Sequence, residues 1–145
     1  MGALQYTYVE CEGPVRTWAR SLNISGIGTR FFFGVPVSGA TFPLGVLTRV
    51  AGRPVRGVPV DRAVIQIDLL GETPTDRRPP SDKFALGVIA TALVSAAESL
   101  ASGTIMSAGV VCLGAEVENG PVWSPSPVDG RSRYTCDIAF YLRKA

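Results

Sequence analysis

The side chains most able to do chemistry in this 145-residue sequence are two glutamates, Glu116 and Glu118. Their segment has strand character, and residues two apart on a strand project from the same face. Such a pair could share a proton in acid–base chemistry or bind a hard cation. No further carboxylate is spaced to complete a site of either kind. A solvated strand face is therefore the stronger interpretation of the pair.

Histidine is absent from the sequence. Its absence removes Ser/His/Asp and Cys/His nucleophile pairs and every histidine-ligated metal site. The three cysteines, Cys11, Cys112 and Cys136, are odd in number and widely spaced, which indicates neither a disulfide framework nor a zinc module. Cys112 and Cys136 lie in apparent strands and are expected to be small buried side chains in a reducing compartment. We expect a protein that is not an enzyme and that holds no metal and no cofactor.

Two short patterns could recognise phosphate. The glycines at 26 and 28 follow a predicted helix and no Lys-Ser/Thr comes after them, so they predict a turn. Arg77-Arg78 could contact phosphate or an acidic partner, although two arginines beside two prolines are typical of a solvated loop. The net charge of +2 comes from 14 basic and 12 acidic residues and gives no strong field for nucleic acid. No run reaches the roughly 18 apolar residues of a membrane-spanning helix, so we expect a soluble protein.

The clearest elements available to position side chains are a strand at 61–70 and a helix at 82–102. Apolar residues recur at every second position in the strand and at every third or fourth in the helix. Ser81 is placed to cap the helix and Gly103 to close it. The predicted inward positions are Ala63, Ile65, Ile67 and Leu69 in the strand, and Leu86, Ile89, Leu93, Ala97 and Leu100 in the helix.

Weaker patterns surround this centre. They predict a short amphipathic helix at 14–24, opened by Pro14, and strands at 30–37, 42–52, 104–120 and 131–144. The strand at 104–120 is long or bent, with Val111, Leu113, Ala115 and Val117 inward and Cys112, Gly114, Glu116 and Glu118 outward. This order predicts one α+β domain over residues 1–145, in which an N-terminal helix and one long helix pack on one face of a mixed, mostly antiparallel sheet.

The sheet face turned away from the helices is predicted to carry Leu47, Val64, Ala139 and Tyr141 among its charges. That is more apolar surface than a solvated face requires, so this face could meet another subunit. The proline-rich loop at 119–130 is the second candidate surface, and Trp123 lies at its middle. Trp123 either anchors a partner or folds back over its own hairpin, and the sequence favours neither.

The order of these segments resembles the tail terminator (tail completion) proteins of long-tailed phages, of the kind found in actinobacteriophages. The resemblance spans roughly residues 14–143. Its motifs are RFFFGVP, TFPLGVLTRVAGRP, VDRAVIQIDLLG before an alanine-rich helix, and LGAEVENGPVWSPSPVDGRSRYTCDIAFYLR. The link GETPTDRRPP is longer than the turn usual at that place in the family.

The resemblance implies a structural virion protein without catalytic residues. It implies a ring, hexameric in the family's pattern of six subunits, that caps the tail tube and joins the tail to the head connector. The partners would be copies of this chain, the tail tube protein and a head–tail connector or stopper protein, with no membrane and no sequence-specific nucleic acid, although DNA would pass through the ring. The location would be the head–tail junction of the virion, and the host cytoplasm during assembly.

The outer sheet face and the loops supply our candidate assembly residues. These are Leu47, Arg49, Val64, Arg77, Arg78, Trp123, Arg131, Arg133, Asp137 and Tyr141. Two alternatives remain open. One is a small α+β ligand-binding domain or enzyme that uses carboxylates, and the other is a weak nucleic-acid binder that uses loop arginines.

Overall fold

Two helices lie on one face of a six-stranded sheet in the computed structural model, which describes residues 8–36, 38–75, 80–107 and 109–145. The elements in chain order are α1 (Glu12–Ser21), β1 (Phe31–Phe32), β2 (Leu44–Pro54), β3 (Asp61–Leu70), α2 (Lys83–Glu98), β4 (Thr104–Ser107), β5 (Val110–Trp123) and β6 (Arg133–Lys144). The strand order is β1-β2-β3-β6-β5-β4, and the described pairs are antiparallel except β1 with β2. The α+β class and the mixed, mostly antiparallel sheet are confirmed.

The centre of the sheet is the pair β3 and β6. Ile65 lies opposite Ile138 and Ile67 opposite Cys136, and directly opposed residues share a face. All four are buried in the core that the two helices cover. The inward set predicted for β3 is therefore confirmed, and so is the outward position predicted for Ala139 on β6, because each strand has only one strongly apolar alternation.

In β2 the predicted faces are reversed. Leu47 lies opposite Ile67 and Arg49 opposite Ile65, so both point to the helix side. Leu47 is fully buried in the core, and the prediction that it lies on the outer face is wrong. The sequence could not decide, because both alternating sets of β2 contain apolar residues. A glycine is required at position 45 of β2, because a Cβ there would lie only 2.5 Å from the ring of Phe31 and would clash with it.

The segment predicted as one strand at 104–120 is a hairpin of β4 and β5. Gly109 adopts a positive φ of 78° at its turn. Cys112 is buried in the core, and a register shift between Cys112 and Gly114 then changes the alternation. Ala115, beyond the shift, packs on the core as predicted. The inward prediction for Val111 and Leu113 and the outward one for Cys112 are wrong. The extra residue in the bulge puts the residues before it on the opposite alternation from Ala115 and Val117, so one continuous alternation could not fit both parts of the strand.

The inner stripe of α2 is confirmed, since Leu86, Ile89, Leu93 and Ala97 are all buried. Its ends differ from the prediction. Asp82, not Ser81, occupies the N-cap position, and the helix ends at Glu98 with Ser99 as its C-cap. Leu100 follows the helix and is half-buried against the core. Gly103 has a positive φ of 91° but lies in the turn before β4, so it does not close the helix.

The N-terminal helix α1 begins at Glu12, two residues before Pro14. Pro14 therefore lies in the first turn, where a helix has no use for its N–H. Trp18 packs edge-on against Phe140 with ring centroids 5.5 Å apart, which docks α1 on β6. The strand predicted at 30–37 is limited to the two residues of β1.

Candidate functional site

An apolar groove of about 610 Å³ runs along the outer face of α2. Its exposed large apolar residues are Phe84 and Val88, with 84% and 53% of their surface accessible. Gly87 lets the groove reach the sheet, because a Cβ there would meet the hydroxyl of Tyr134 at 3.2 Å. The lining consists of Phe84, Gly87, Val88, Thr91, Ala92, Pro121 and Tyr134.

The groove exists because α2 is apolar on two faces. No charged residue occurs between Lys83 and Glu98, so neither the inner stripe nor the outer face of the helix carries a charge. A helix that is hydrophobic all round is usually covered on all sides. Only the inner stripe was predicted from the sequence. The charge-free run at 84–97 was the signal that could have identified the second face.

Trp123 is the last residue of β5 and lies on the helix side of the sheet. Its ring meets Tyr134 edge-on at 5.3 Å between centroids, and Lys83 Nζ lies 5.0 Å from the indole. Of the two interpretations of Trp123, the structure shows the one in which it folds over its own hairpin. The loop predicted at 119–130 starts later, because β5 continues through residue 123.

The outer sheet face carries a polar network around the glutamate pair. Arg62 forms ion pairs with both Glu118 and Glu116, the latter at 3.5 Å. Tyr141 Oη donates to Glu116 Oε1 at 2.7 Å, and Arg62 Nε donates to Tyr141 Oη at 3.2 Å. Both carboxylates thus have a cationic partner, and Glu116 has a hydroxyl partner as well. Within the described ranges, no group of three or more His, Cys, Asp or Glu side chains is placed to hold a metal ion.

Little apolar area is exposed at the centre of that face. Val64 and Ala139 lie opposite each other and are 6% and 0% exposed. Beside them, Thr135 Oγ1 donates to Asp68 Oδ1 at 2.7 Å. Asp137 Oδ1 is buried with no hydrogen-bond partner among the described residues. The outer sheet face is therefore more polar than the sequence led us to expect.

Two predicted arginines brace the connection between β5 and β6. Arg131 Nη1 donates to the carbonyl oxygen of Gly71 at 2.7 Å, and its guanidinium lies 4.0 Å from the ring centroid of Phe42. Arg133 Nε donates to the carbonyl oxygen of Ser124 at 2.8 Å. Both side chains hold loops of their own subunit in place.

Arg49 clamps the segment that leads into α1. Its Nη1 and Nη2 donate to the carboxylate of Asp61 at 2.8 and 2.9 Å, and the backbone N–H of Val9 donates to the same group at 2.9 Å. Asp61 is fully buried. The hydrogen bonds from Arg49 to the Asp61 carboxylate raise the pKa of Arg49 above the ordinary arginine value. Arg49 is thus a clamp on the helix side, and its predicted place on the outer face is wrong.

The candidate residues do not form one surface. Leu47, Arg49 and Trp123 lie on the helix side; Val64, Asp137 and Tyr141 on the outer side; and Arg131 and Arg133 at the β5–β6 connection. Arg77 and Arg78 lie outside the described residues.

All three thiols are buried and free. Burial raises the pKa of Cys136 to about 12, and the charges of Asp137 and Asp68 act in the same direction. Burial also raises the pKa of Cys11 and of Cys112 above the usual thiol value. Since the thiolate is the reactive form, these cysteines are structural side chains in the folded chain.

Comparison with known proteins leaves the geometry as the main guide to function. No protein family matches this chain, and no curated protein matches its sequence. None of the helices in the described part of the chain is both long enough and apolar enough to cross a membrane.

Proposed function

We propose that this chain is a tail terminator, a structural subunit that assembles into a closed ring of six copies, caps the tail tube and joins it to the head connector. The observation that carries the proposal is the exposed apolar groove of α2, which a second copy of the chain would cover. The resemblance of the segment order to such proteins supports it, and so does the α+β fold that this resemblance implies.

The partner that covers the groove is a second copy of the chain, because the subunit carries two different apolar patches over different parts of the sheet. The groove lies against β5 and β6, whereas Phe33 and Val35 follow β1 at the far edge of the sheet. These two side chains are 47% and 53% exposed. If the groove of one copy binds the Phe33 and Val35 patch of the next copy, the contact is head-to-tail. A head-to-tail contact closes into a ring when the rotation between neighbouring copies allows it.

The subunit has enough surface for two such contacts. A specific interface covers about 800 Å² on each partner, so two interfaces use about a fifth of the 7910 Å² surface of this chain. Interfaces of this kind have an apolar centre and a polar rim. Phe84 and Val88 would supply the centre.

The alternative function, a ligand-binding domain or enzyme that uses carboxylates, would need Glu116 and Glu118 to be free. Arg62 pairs with both glutamates and Tyr141 donates to Glu116, so neither carboxylate is free.

The test of the structural role is a count of joined particles made by the virus that encodes this chain. Loss of the gene should give unjoined heads and tails of abnormal length. The double variant Phe84→Ser/Val88→Ser should give the same products.

The matched control is Val128→Ser, the same change as Val88→Ser, at a residue that is 92% exposed in the β5–β6 connection. It should leave the yield of joined particles at the wild-type value. Normal particles from the double variant would contradict the proposed role of the groove. Normal particles without the gene would contradict the proposed function itself.

A further inference from the structure

A basic hollow lies at the tip of the β2–β3 hairpin. Arg53 on β2 stands directly opposite Arg62 on β3, and Arg56 lies in the turn between the strands. The hollow has a volume of about 510 Å³, and Pro54 and Val55 complete its lining. Three guanidinium groups therefore border one concave surface.

The charges of the hollow are only partly balanced. Arg62 is held by Glu116, Glu118 and the hydroxyl of Tyr141. Arg53 and Arg56 are exposed, and neither has a carboxylate within 4 Å in the described part of the chain. Like charges directly opposed across two strands are destabilising. Because Glu116 and Glu118 already offset the charge of Arg62, the charges that an anion could still offset in the hollow are those of Arg53 and Arg56.

Positive charge is concentrated at this end of the sheet. Arg143 and Lys144 end β6 beside the start of β3, so five basic residues and two glutamates lie here beside the Arg49–Asp61 ion pair. Subtraction of these six basic and three acidic residues from 14 and 12 leaves eight basic and nine acidic residues in the rest of the chain. The small net charge of the whole molecule conceals a local excess that attracts polyanions.

We propose that this hollow binds the phosphate groups of a nucleic-acid backbone. Guanidinium groups bind phosphate through paired hydrogen bonds. Arg53 lies directly opposite Arg62, and Arg143 lies on the next strand, two residues beyond Tyr141, the residue opposite Arg62. At about 4.8 Å per strand, the three positions form a diagonal row about 10 Å wide across the strands. Guanidinium groups spread over that width can contact more than one phosphate of a nucleic-acid strand. A row of this kind fits a chain of phosphates better than a single carboxylate.

The contact is independent of sequence and uses one subunit, so it goes beyond the proposed ring and does not depend on it. The test is the anisotropy of a labelled DNA duplex of about 20 base pairs, titrated with the full-length protein from about 50 to 200 mM NaCl. The test variant is Arg53→Gln/Arg56→Gln. The control is Arg16→Gln/Lys83→Gln, which removes the same charge from side chains that lie beside Phe33 and Trp123.

The test variant should bind the duplex roughly tenfold more weakly at about 50 mM NaCl, and its slope of log K against log salt should be shallower by about 1.8, which is two phosphate contacts. The control should keep the wild-type slope. Equal losses in the two variants, or no binding by wild-type protein at low salt, would overturn the proposal.

Two competitors identify the anion. Polyglutamate should displace the duplex less well than unlabelled DNA of equal charge. Displacement by polyglutamate at equal or lower concentration would reassign the hollow to an acidic protein segment. Inorganic phosphate at constant ionic strength should leave most of the duplex bound, and complete displacement at about 10 mM would reassign the hollow to the free ion.

Discussion

The two helices of this protein pack on the same sheet face but present different surfaces to the outside. α1 buries Val15 and Trp18 and directs Arg16 outward, where its guanidinium covers the ring of Phe33 at 4.1 Å. α2 buries Leu93 on the inside and leaves Phe84 exposed on the outside. The comparison shows that the apolar residues on the inner side of a helix reflect packing within the subunit. The residues on its outer side reflect whether that side contacts water or another protein.

The largest effect should come from the inner stripe of α2. Leu93→Ala removes a fully buried side chain at the centre of that stripe and should lower the free energy of unfolding by about 2–5 kcal/mol. The matched change on the outer face is Val88→Ala, which should cost less than about 0.5 kcal/mol. Urea unfolding of both variants measures the contrast. Equal costs would remove the distinction between the two faces.

The polar docking of α1 should be nearly as important. Arg49→Met leaves the carboxylate of Asp61 fully buried with only the N–H of Val9 as a partner, and should cost about 3 kcal/mol. Asp61→Asn should cost less, because Arg49 keeps 23% of its side chain accessible to water. Thermal unfolding of the two variants gives the order, and the reverse order would show that the clamp does not depend on burial of the carboxylate.

Trp123 should have an intermediate effect on the stability of the single subunit. Trp123→Ala removes the edge-on contact with Tyr134 and the contact with Lys83, and should lower the free energy of unfolding by about 1–2 kcal/mol. Phe84→Ala, also an aromatic truncation beside the groove, should leave stability within about 0.5 kcal/mol of wild type. If Trp123→Ala is neutral for folding, its side chain belongs to an assembly contact instead.

The smallest perturbation is a chemical probe of the thiols. At neutral pH the folded chain should resist alkylation at all three cysteines, whereas the urea-unfolded chain should react at each, as mass spectrometry would show. Above the ordinary thiol pKa of 9.0 the unfolded chain loses protons that the folded chain retains. The free energy of unfolding should therefore fall as pH rises beyond 9. Rapid labelling of folded Cys136 would contradict its burial.

What the sequence could predict depended on whether a segment has one apolar pattern or two. β3, β6 and the inner stripe of α2 each have one, and their buried faces were predicted correctly. β2 has apolar residues in both alternating sets, so its face was decided by pairing with β3, which places Leu47 opposite Ile67. In β5 a bulge after Cys112 reverses which residues face the core, and no pattern in the local sequence predicts this bulge.

The candidate site was missed for a related reason. In sequence, a helix with two apolar faces looks like one strongly hydrophobic helix. The apolar residues of α2 beyond its inner stripe were therefore not recognised as a second surface. The exposed side chains of Phe84 and Val88 became visible only once the sheet had been placed beneath Leu93. The arginine hollow likewise depends on register, since Arg53 and Arg62 are nine residues apart in sequence and meet only across the hairpin.

The measurement that tests the central claim most directly is the mass of the purified chain in solution, by sedimentation velocity over a range of concentrations. If a second copy covers the outer face of α2, wild-type protein sediments as a closed species of several subunits. Phe84→Ser/Val88→Ser should sediment as a folded monomer of 15.3 kDa, and Val128→Ser should match wild type. A double variant that keeps the wild-type mass, or a wild-type chain that stays monomeric at every concentration, would contradict the account.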